Sequence, residues 1–264
     1  MGNFEFKKKF GQNFLSDETL LDDIVEKAGV TEDDVVLEIG AGKGALTNAL
    51  VKKAKKVVSF EIDLELQEYL LDRFQDKNVQ FVFEDVMNCT DKEIDELLGG
   101  KFKLVANLPY YVTSPIITRF LQNDNLQSLT VMVQEEVADR IVSNEKCKDY
   151  GVLTIICKLF GEPKKVLRVT RDKFYPVPNV DSAIVHIERK QDNLDKAEVL
   201  GVINLAKQAF AMRRKKLSSN LESSKHSKAE LENMLISRGF SESARAEELN
   251  ISDFVWLYRE LKDK

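Results

Sequence analysis

The chain is poor in the residues that build disulfide frameworks and metal sites, and it has no long apolar run. Its three cysteines, Cys89, Cys147 and Cys157, show no C-x-x-C spacing, so we expect reduced, buried thiols in a cytoplasmic protein. The two histidines, His186 and His226, lie far apart without metal-type neighbours, so no metal site is expected. No apolar run approaches the ~20 residues that cross a bilayer, and the N-terminus lacks the apolar stretch of a secretory signal. The sequence therefore predicts a protein without a membrane partner.

Glycine and proline are also scarce, with 12 and 5 positions, while 43% of the 264 residues are hydrophobic. This composition is typical of a globular chain. The net charge of −5 argues against a nucleic-acid partner, but the charge is unevenly spread. Residues 160–264 hold 20 Lys and Arg against 16 Asp and Glu, and "KQAFAMRRKK" (207–216) has five basic residues and no acid. A local basic surface can bind a polyanion whatever the net charge, and the alternative is a solvated helix face.

Short apolar runs alternate with amphipathic helical patterns over the first half of the chain. The runs are "VVLEIG", "KVVSFEID", "VQFVFED", "KLVAN" and "SLTVMVQ", and helical patterns separate them. Strands that alternate with helices predict an α/β fold with a doubly wound, mainly parallel sheet. "KKVLRVT" and "SAIVHIER" have only a proline-rich turn between them and predict an antiparallel hairpin at the edge of that sheet.

From about residue 191 the pattern is helical throughout. The segments "KAEVLGVINLAKQAFAMRRKKLSSNL", "SKAELENMLISRG" and "ISDFVWLYRELK" each predict a helix, with Ser252 and Asp253 as candidate caps for the last. The polar stretch "KQDNLD" (190–195) is the expected hinge. The sequence thus predicts a Rossmann-like domain over residues 1–190 and a small all-helical domain over residues 191–264.

The stretch "VLEIGAGKG" places Gly40, Gly42 and Gly44 between a strand and a helix. Glycines there let the backbone turn tightly and approach a ligand. The spacing also satisfies G-x-G-x-x-A through Ala45, which fits a dinucleotide enzyme, whereas the GK[ST] of a Walker A loop is missing. Glu61 follows Gly40 by 21 positions at the end of the second strand, which is the spacing expected of a carboxylate that accepts hydrogen bonds from a ribose.

Further polar residues follow the next strand ends. Asp63 lies close enough to compete with Glu61 for the ribose, but a helix cap is its more ordinary role. Asp85 ends the third strand and can accept a hydrogen bond from an exocyclic adenine amine, or cap a helix. Because open α/β sheets bind ligands at the carboxyl ends of their strands, these residues should meet at one edge. An adenosine site without a second Rossmann half favours S-adenosylmethionine over a dinucleotide as the cofactor.

The stretch "NLPY" (107–110) ends the fourth strand with an amide, a proline and an aromatic ring. It resembles the signature of methyltransferases that act on an exocyclic amino nitrogen. The Asn107 side-chain oxygen and the Leu108 carbonyl would accept the amine protons and free the nitrogen lone pair, while Pro109 fixes the turn. Tyr110 would stack on the base and favour the positive charge that develops on nitrogen. The alternative is an ordinary turn with core tyrosines.

Nearly the whole chain, from about residue 8 to residue 259, resembles the KsgA/RsmA small-subunit ribosomal RNA adenine N6,N6-dimethyltransferases. The matching stretches are "KKFGQNFL" (8–15), "EIGAGKGALT" (38–47), "FEID" (60–63), "ED" (84–85), "NLPYYVTSPI" (107–116), "VQEEVADRI" (133–141), "FYPVPNVDSAIV" (174–185), "AFAMRRKKLSSNL" (209–221) and "RAEELNISDF" (245–254). The resemblance implies methyl transfer from S-adenosylmethionine to adjacent adenosines near the 3′ end of small-subunit ribosomal RNA.

The resemblance also implies roles for individual residues. In that family the Gln-Asn-Phe-Leu segment folds over the cofactor site, which carries over to Asn13 and Leu15. Phe174, the first aromatic of F-x-P-x-P, would hold the flipped base against Tyr110. The implied cofactor-binding residues are Asn13, Leu15, Gly40, Gly42, Glu61, Asp85 and Asn107, and the implied catalytic residues are Asn107, Leu108, Pro109, Tyr110 and Phe174.

The basic run of the helical segment is the predicted RNA-binding surface. Ala209, Phe210 and Leu217 would pack inward, leaving the basic side chains to face RNA; these are Arg213, Arg214, Lys215 and Lys216. The expected partner is the small ribosomal subunit or its assembly precursor, bound by a monomer in the cytoplasm.

Three alternatives stay open on the sequence alone. The sister group methylates a large-subunit ribosomal adenine and confers macrolide resistance; it shares the sheet and the catalytic turn, usually as N-I-P-Y. A non-catalytic binding module of the same fold is the second alternative, and the intact "NLPY" turn argues against it. The third is an NAD-dependent oxidoreductase, which depends on the match from Gly40 to Ala45.

Overall fold

The computed structural model describes residues 14–15, 17–190, 194–223 and 225–262, and the chain forms two compact units. The first unit takes the described residues up to Ala138 and Glu162–Arg189; the second takes Asp139–Gly161 and the described residues from Lys190 onward. The second unit therefore includes residues 139–161, which the sequence had placed in the first domain. The separate functions assigned to 1–190 and 191–264 stay predictions.

The first unit is built on a seven-stranded sheet. The described strands are, in chain order, β1 (Phe14–Leu15), β2 (Val35–Ile39), β3 (Lys56–Phe60), β4 (Val79–Val82), β5 (Phe102–Asn107), β6 (Leu126–Gln134), β7 (Gly161–Val169), β8 (Phe174–Tyr175) and β9 (Ser182–Arg189). All of them except β1 and β8 belong to the seven-stranded sheet. The order in the sheet is β4-β3-β2-β5-β6-β9-β7, with parallel pairing from β4 through β6 and antiparallel pairing between β6 and β9. The predicted Rossmann-like fold with an antiparallel edge is confirmed.

A separate antiparallel pair joins β1 to β8, with Leu15 opposite Phe174. The sequence did not predict it, because two-residue strands carry no hydrophobic periodicity. The pair brings together two stretches that the family resemblance had marked as functional, and it lies beside the sheet rather than in it.

Helices connect the parallel strands and form most of the second unit. They are α1 (Glu18–Lys27), α2 (Ala45–Leu50), α3 (Gln67–Arg73), α4 (Asp91–Leu98), α5 (Thr113–Leu121), α6 (Glu135–Val142), α7 (Val152–Phe160), α8 (Lys196–Ala209), α9 (Leu217–Leu221), α10 (Lys228–Ser237) and α11 (Ile251–Lys262). Side chains satisfy several of their first backbone donors: Asp17 accepts from Leu20 at the start of α1, and Thr90 and Ser227 form capping boxes at α4 and α10.

The central strands are apolar along most of their length, as expected of strands covered on both faces. Fully buried side chains on them include Val36, Leu37, Val57, Val58, Leu104, Val105, Leu129 and Val131. Each such side chain stabilises the fold by about 1.5–3 kcal/mol relative to an exposed one. The carboxyl ends of these strands are therefore rigidly spaced.

The second unit is helical, and its aromatic core lies around Phe210. The ring of Phe210 is 6.1 Å from that of Tyr150 and 6.1 Å from that of Phe254. The hydroxyl of Tyr150, a fully buried residue, donates to the Leu249 carbonyl at 2.8 Å. These contacts join the segment before α7 to α11.

The prediction of one helix through "KAEVLGVINLAKQAFAMRRKKLSSNL" is wrong, because α8 ends at Ala209 and α9 begins at Leu217. The Asn220 side chain donates to the carbonyls of Ala209 (2.7 Å) and Met212 (3.2 Å), which holds the intervening turn. The segment contains no glycine or proline stop at the break, so its pattern gave no sign of it. The basic run consequently lies mostly on a turn and not on a helix face.

Two smaller expectations also change. Asn250 shares the cap of α11 with Asp253, since the Asp253 N–H donates to Asn250 Oδ1 and the Asn250 N–H donates to Asp253 Oδ2. Ser252 lies inside the helix. Of the cysteines, only Cys157 is buried, whereas Cys147 is exposed.

None of the helices in the described ranges has the length and apolar character needed to cross a membrane.

Candidate active site

A cavity of about 420 Å³ opens at the carboxyl ends of the parallel strands. Its volume falls within the range of about 300–1,000 Å³ that is usual for small-molecule sites. Every predicted cofactor-binding and catalytic residue that the structure describes lines it: Leu15, Gly40, Gly42, Glu61, Asp85, Asn107, Leu108, Pro109, Tyr110 and Phe174. Asn13, also predicted to bind the cofactor, lies outside the described residues.

The cavity lies where the strand order reverses. The chain runs outward from β2 to β3 and β4 and then returns to β5 on the other side of β2. Loops that leave neighbouring strands in opposite directions open a crevice between them, and ligands bind there in α/β folds. Gly40 follows β2 and Asn107 ends β5, and a Cβ added to Gly40 would lie 3.7 Å from the Asn107 carbonyl oxygen.

The glycine loop is held close to the sheet by backbone hydrogen bonds. The N–H groups of Gly40 and Ala41 donate to the Phe60 carbonyl at 2.8 and 3.2 Å. Gly44 has φ of +75°, and a Cβ there would lie 2.5 Å from Cε2 of Phe74. Only glycine fits both this backbone conformation and this space, so the turn into α2 requires it.

Glu61, the predicted ribose acceptor, is 5% exposed and borders both the cavity and the loop. Its Oε2 accepts the Gly42 N–H at 2.7 Å, and its Oε1 accepts the Asp63 N–H at 2.8 Å. Burial raises the pKa of Glu61, and these backbone donors oppose the rise. Asp63 itself accepts the Glu65 N–H at 3.3 Å, which confirms it as a cap.

A second buried acid, Glu38, lies on β2 behind the glycine loop and was not predicted. It is fully buried, and its Oε2 accepts the hydroxyls of Thr47 on α2 and Ser59 on β3, each at 2.6 Å. Its Oε1 has no hydrogen-bond partner among the described residues. Burial raises the pKa of Glu38 to about 7. The sequence signal that could have identified Glu38 is its position as a charged residue inside an otherwise apolar run.

The predicted adenine contact, Asp85, caps the short turn Val86–Asn88 by accepting the Met87 N–H at 2.9 Å. It lines the cavity as well, so the cap and the cavity position are compatible. Two apolar side chains beside these acids were missed: Ile62 is 41% exposed and Met87 is 38% exposed, and both line the cavity. Exposed apolar surface inside a pocket suits the face of a planar heterocycle.

The "NLPY" stretch forms a closed turn at the end of β5. Asn107 is the last residue of the strand and is half-buried. The Leu108 N–H donates to the Met132 carbonyl at 3.3 Å, and the Val112 N–H and Thr113 hydroxyl donate to the Pro109 carbonyl at 3.1 and 3.2 Å. The turn is therefore fixed to β6 on one side and to α5 on the other.

The two predicted base-stacking rings differ in burial. Tyr110 is half-buried, and its hydroxyl lies 3.1 Å from the Oγ of Ser182, a residue that sequence reasoning did not select. Phe174 is 3% exposed and packs within a hydrophobic core cluster, although it also lines the cavity. The stacking role of Phe174 stays a prediction, and its core role is observed.

The four predicted RNA-binding residues lie in the second unit, outside this cavity. Arg213 contacts Glu247 at 3.1 Å, and Lys216 lies 3.5 Å from Glu232 and 3.6 Å from Glu242. Arg214 and Lys215 are exposed, and no ion pair involves their side chains within the described part of the chain. Their contact with RNA stays a prediction.

A family model described as "Ribosomal RNA adenine dimethylase" matches residues 3–263. The chain belongs to the ribosomal RNA adenine dimethylase family. A curated relative from Caldanaerobacter subterraneus subsp. tengcongensis, named ribosomal RNA small subunit methyltransferase A, is 41% identical over 253 residues, which cover 94% of this chain and 94% of the relative. The predicted resemblance is thereby confirmed.

Two solved structures share the fold over nearly the whole chain. A dimethyladenosine transferase from Plasmodium falciparum has a TM-score of 0.78 at 27% identity and covers 95% of this chain and 98% of its own. The 23S rRNA methyltransferase ErmE has a TM-score of 0.73 at 27% identity and covers 95% of this chain and 100% of its own.

This dimethylase is an S-adenosylmethionine-dependent enzyme, so the NAD-dependent oxidoreductase is set aside. The residues present fit that cofactor. The cavity combines the backbone of Gly40 and Gly42, a buried carboxylate in Glu61 and apolar surface from Ile62 and Met87. These groups suit a ribose and an adenine ring.

Proposed function

We propose that this dimethylase methylates the N6 nitrogens of adjacent adenosines near the 3′ end of small-subunit ribosomal RNA. The observation that carries the proposal is a single cavity lined by both the cofactor residues, such as Glu61, and the "NLPY" turn from Asn107 to Tyr110. A methyl donor and an exocyclic amine can meet there. We further propose that the protein acts as a monomer in the cytoplasm, on the small ribosomal subunit or its assembly precursor.

The cofactor supplies a methyl group on a sulfonium, which is already activated for transfer. The protein residues then have to prepare the amine. The Asn107 side-chain oxygen and the Leu108 carbonyl accept hydrogen bonds from the amine protons and favour a tetrahedral nitrogen with a free lone pair. The Tyr110 ring lies against the base, and its face stabilises the positive charge that develops on nitrogen. The site therefore accelerates methyl transfer by positioning the reactants and by electrostatic stabilisation.

The target adenine must leave its stack to reach this turn, at a cost of a few kcal/mol. The half-buried Tyr110 and the pocket-lining face of Phe174 would offset part of that cost by holding the flipped base. The exposed basic side chains Arg214 and Lys215 would contribute by binding phosphates.

Reverse transcription across ribosomal RNA tests the proposal directly. Two methyl groups on N6 remove both donor protons of the adenine, so the transcriptase stops there. When small and large subunits that lack the modification are each incubated with the protein and S-adenosylmethionine, stops should appear at two adjacent adenines near the 3′ end of the small-subunit RNA. Asn107→Ala should slow this by ~10²-fold or more, whereas Asn88→Ala, at an exposed position outside the cavity, should not. Stops confined to large-subunit RNA would favour the macrolide-resistance group instead.

A further inference from the structure

The Tyr110 hydroxyl is anchored to the start of β9. It lies 3.1 Å from Ser182 Oγ, although the two residues are 72 positions apart in the chain. Ser182 is completely buried and is paired with Gln134 in the sheet. A side chain without solvent access on a paired strand has little freedom to move, so the anchor is rigid.

The residue before Ser182 fixes the neighbouring loop. The Asp181 carboxylate accepts the Arg171 N–H at 3.0 Å and a guanidinium N–H of Arg168 at 2.9 Å. The Asp181 carbonyl accepts the Glu135 N–H at 3.0 Å. Arg171 begins the short turn that leads directly into Phe174. The start of β9 thus holds both the Tyr110 ring and the segment that carries Phe174.

We infer that Ser182 is a positioning residue for methyl transfer: its hydroxyl sets the orientation of the Tyr110 ring against the target base. This inference rests on the proposed function. A hydrogen bond at the far end of a tyrosine fixes the position of its hydroxyl oxygen and so restricts the first side-chain torsion. Because the phenolic O–H prefers to lie in the ring plane, the direction of the hydrogen bond also favours one setting of the second torsion. The ring must lie flat against the base for its face to stabilise the charge on nitrogen. Without the anchor the ring stays in place but can tilt.

A double-mutant cycle separates this role from simple packing. Ser182→Ala and Tyr110→Phe each remove one side of the same hydrogen bond and keep the ring. We expect each to lower kcat by about three- to tenfold at saturating RNA and S-adenosylmethionine. The double variant should be no slower than either single variant, because each single change already removes the interaction. The S-adenosylmethionine dissociation constant should stay at the wild-type value in all three.

Ser128→Ala is the matched control. Ser128 is also a buried serine on a sheet strand, but its Oγ has no hydrogen-bond partner among the described residues and it does not line the cavity. Removing its hydroxyl should leave kcat unchanged. The inference is overturned if Ser182→Ala keeps the wild-type kcat, or if the effects of the two single variants multiply in the double variant. It is overturned equally if Ser182→Ala weakens cofactor binding by the same factor as kcat, which would indicate a general structural role. If the wild-type protein methylates no ribosomal adenine at all, the proposed function itself fails.

Discussion

Glu61 and Gly42 are joined by a hydrogen bond of 2.7 Å, in which the backbone of the glycine loop donates to the carboxylate. The second oxygen of Glu61 accepts the N–H of Asp63, and both residues lie just beyond the end of β3. The side chain therefore fixes the loop as well as bordering the cavity. Any test of its ligand role has to separate these two effects.

Replacing Glu61 with alanine should weaken S-adenosylmethionine binding by about 10- to 100-fold, the scale of a hydrogen bond to a charged group. Thermal unfolding with increasing ligand measures this, because a ligand that binds only the folded state raises the melting temperature by an amount that grows with its affinity. The unliganded variant should also melt somewhat earlier, since two backbone donors no longer have their acceptor.

Glu68→Ala serves as the control, because Glu68 is an exposed acid on the adjacent helix and does not line the cavity. S-adenosylmethionine should raise the melting temperature of Glu68→Ala as much as that of the wild type. NAD should not change the melting temperature of either protein. A normal shift in Glu61→Ala would remove this residue from the cofactor site.

The two roles of Phe174 can be separated with leucine. Phe174→Leu keeps an apolar side chain in the core and should cost less unfolding free energy than the roughly 3–5 kcal/mol of a Phe→Ala change. It removes the ring, and base stacking is typically worth about 1–3 kcal/mol, so methyl transfer should fall at least about fivefold. Phe102→Leu makes the same change in a fully buried ring outside the cavity and should keep wild-type transfer. Equal rates in both variants would leave Phe174 with a core role only.

The candidate site residues that the sequence placed together at one edge are those carried by single strands. Gly40, Glu61, Asp85 and Asn107 each follow or end an apolar run, and parallel strands deliver their carboxyl ends to one edge. Local spacing was therefore enough to place them together. The family resemblance added Asn13, Leu15 and Phe174, and without it Phe174 would have been assigned to the core.

The parts that the sequence missed depend on contacts across the chain. Ser182 reaches Tyr110 only because β9 pairs with β6, and no local pattern encodes that register. The break after Ala209 depends on the Asn220 side chain, which donates to a backbone carbonyl eleven residues earlier. Such contacts depend on how distant segments of the chain pack together, so hydrophobic periodicity does not predict them.

Glu38 makes stability depend on pH. Burial raises its pKa from 4.5 to about 7, so the folded state holds this proton more tightly than the unfolded state. That contribution is fully present below the unfolded pKa and is lost as pH rises through the folded one. Between about pH 5 and pH 8 the wild-type protein should lose up to about 3 kcal/mol of unfolding free energy relative to Glu38→Gln, which cannot ionise. Urea unfolding of both proteins across this range measures the difference, and parallel curves would contradict it.

The basic turn between α8 and α9 (residues 210–216) contains ion pairs, and these decide which of its residues to change. Arg213 and Lys216 are already paired with acids, whereas Arg214 and Lys215 are exposed and available to phosphates. Replacing Arg214 and Lys215 with alanine should weaken binding to small ribosomal subunits. It should also flatten the dependence of log affinity on log salt by roughly one unit for each phosphate that the protein no longer binds.

As a control, changing Lys77 and Lys101 to alanine also removes two positive charges, but from exposed positions in the first unit. If the basic turn binds RNA, this control keeps the wild-type salt slope, because it leaves Arg214 and Lys215 unchanged. Equal slopes in both double variants would mean that net charge alone sets the affinity and that the turn is only solvated. Cofactor binding should be unchanged in either variant, since the turn lies outside the cavity. Weaker cofactor binding in the Arg214 and Lys215 variant would instead show that the turn supports the catalytic unit, and its assignment to RNA would have to be withdrawn.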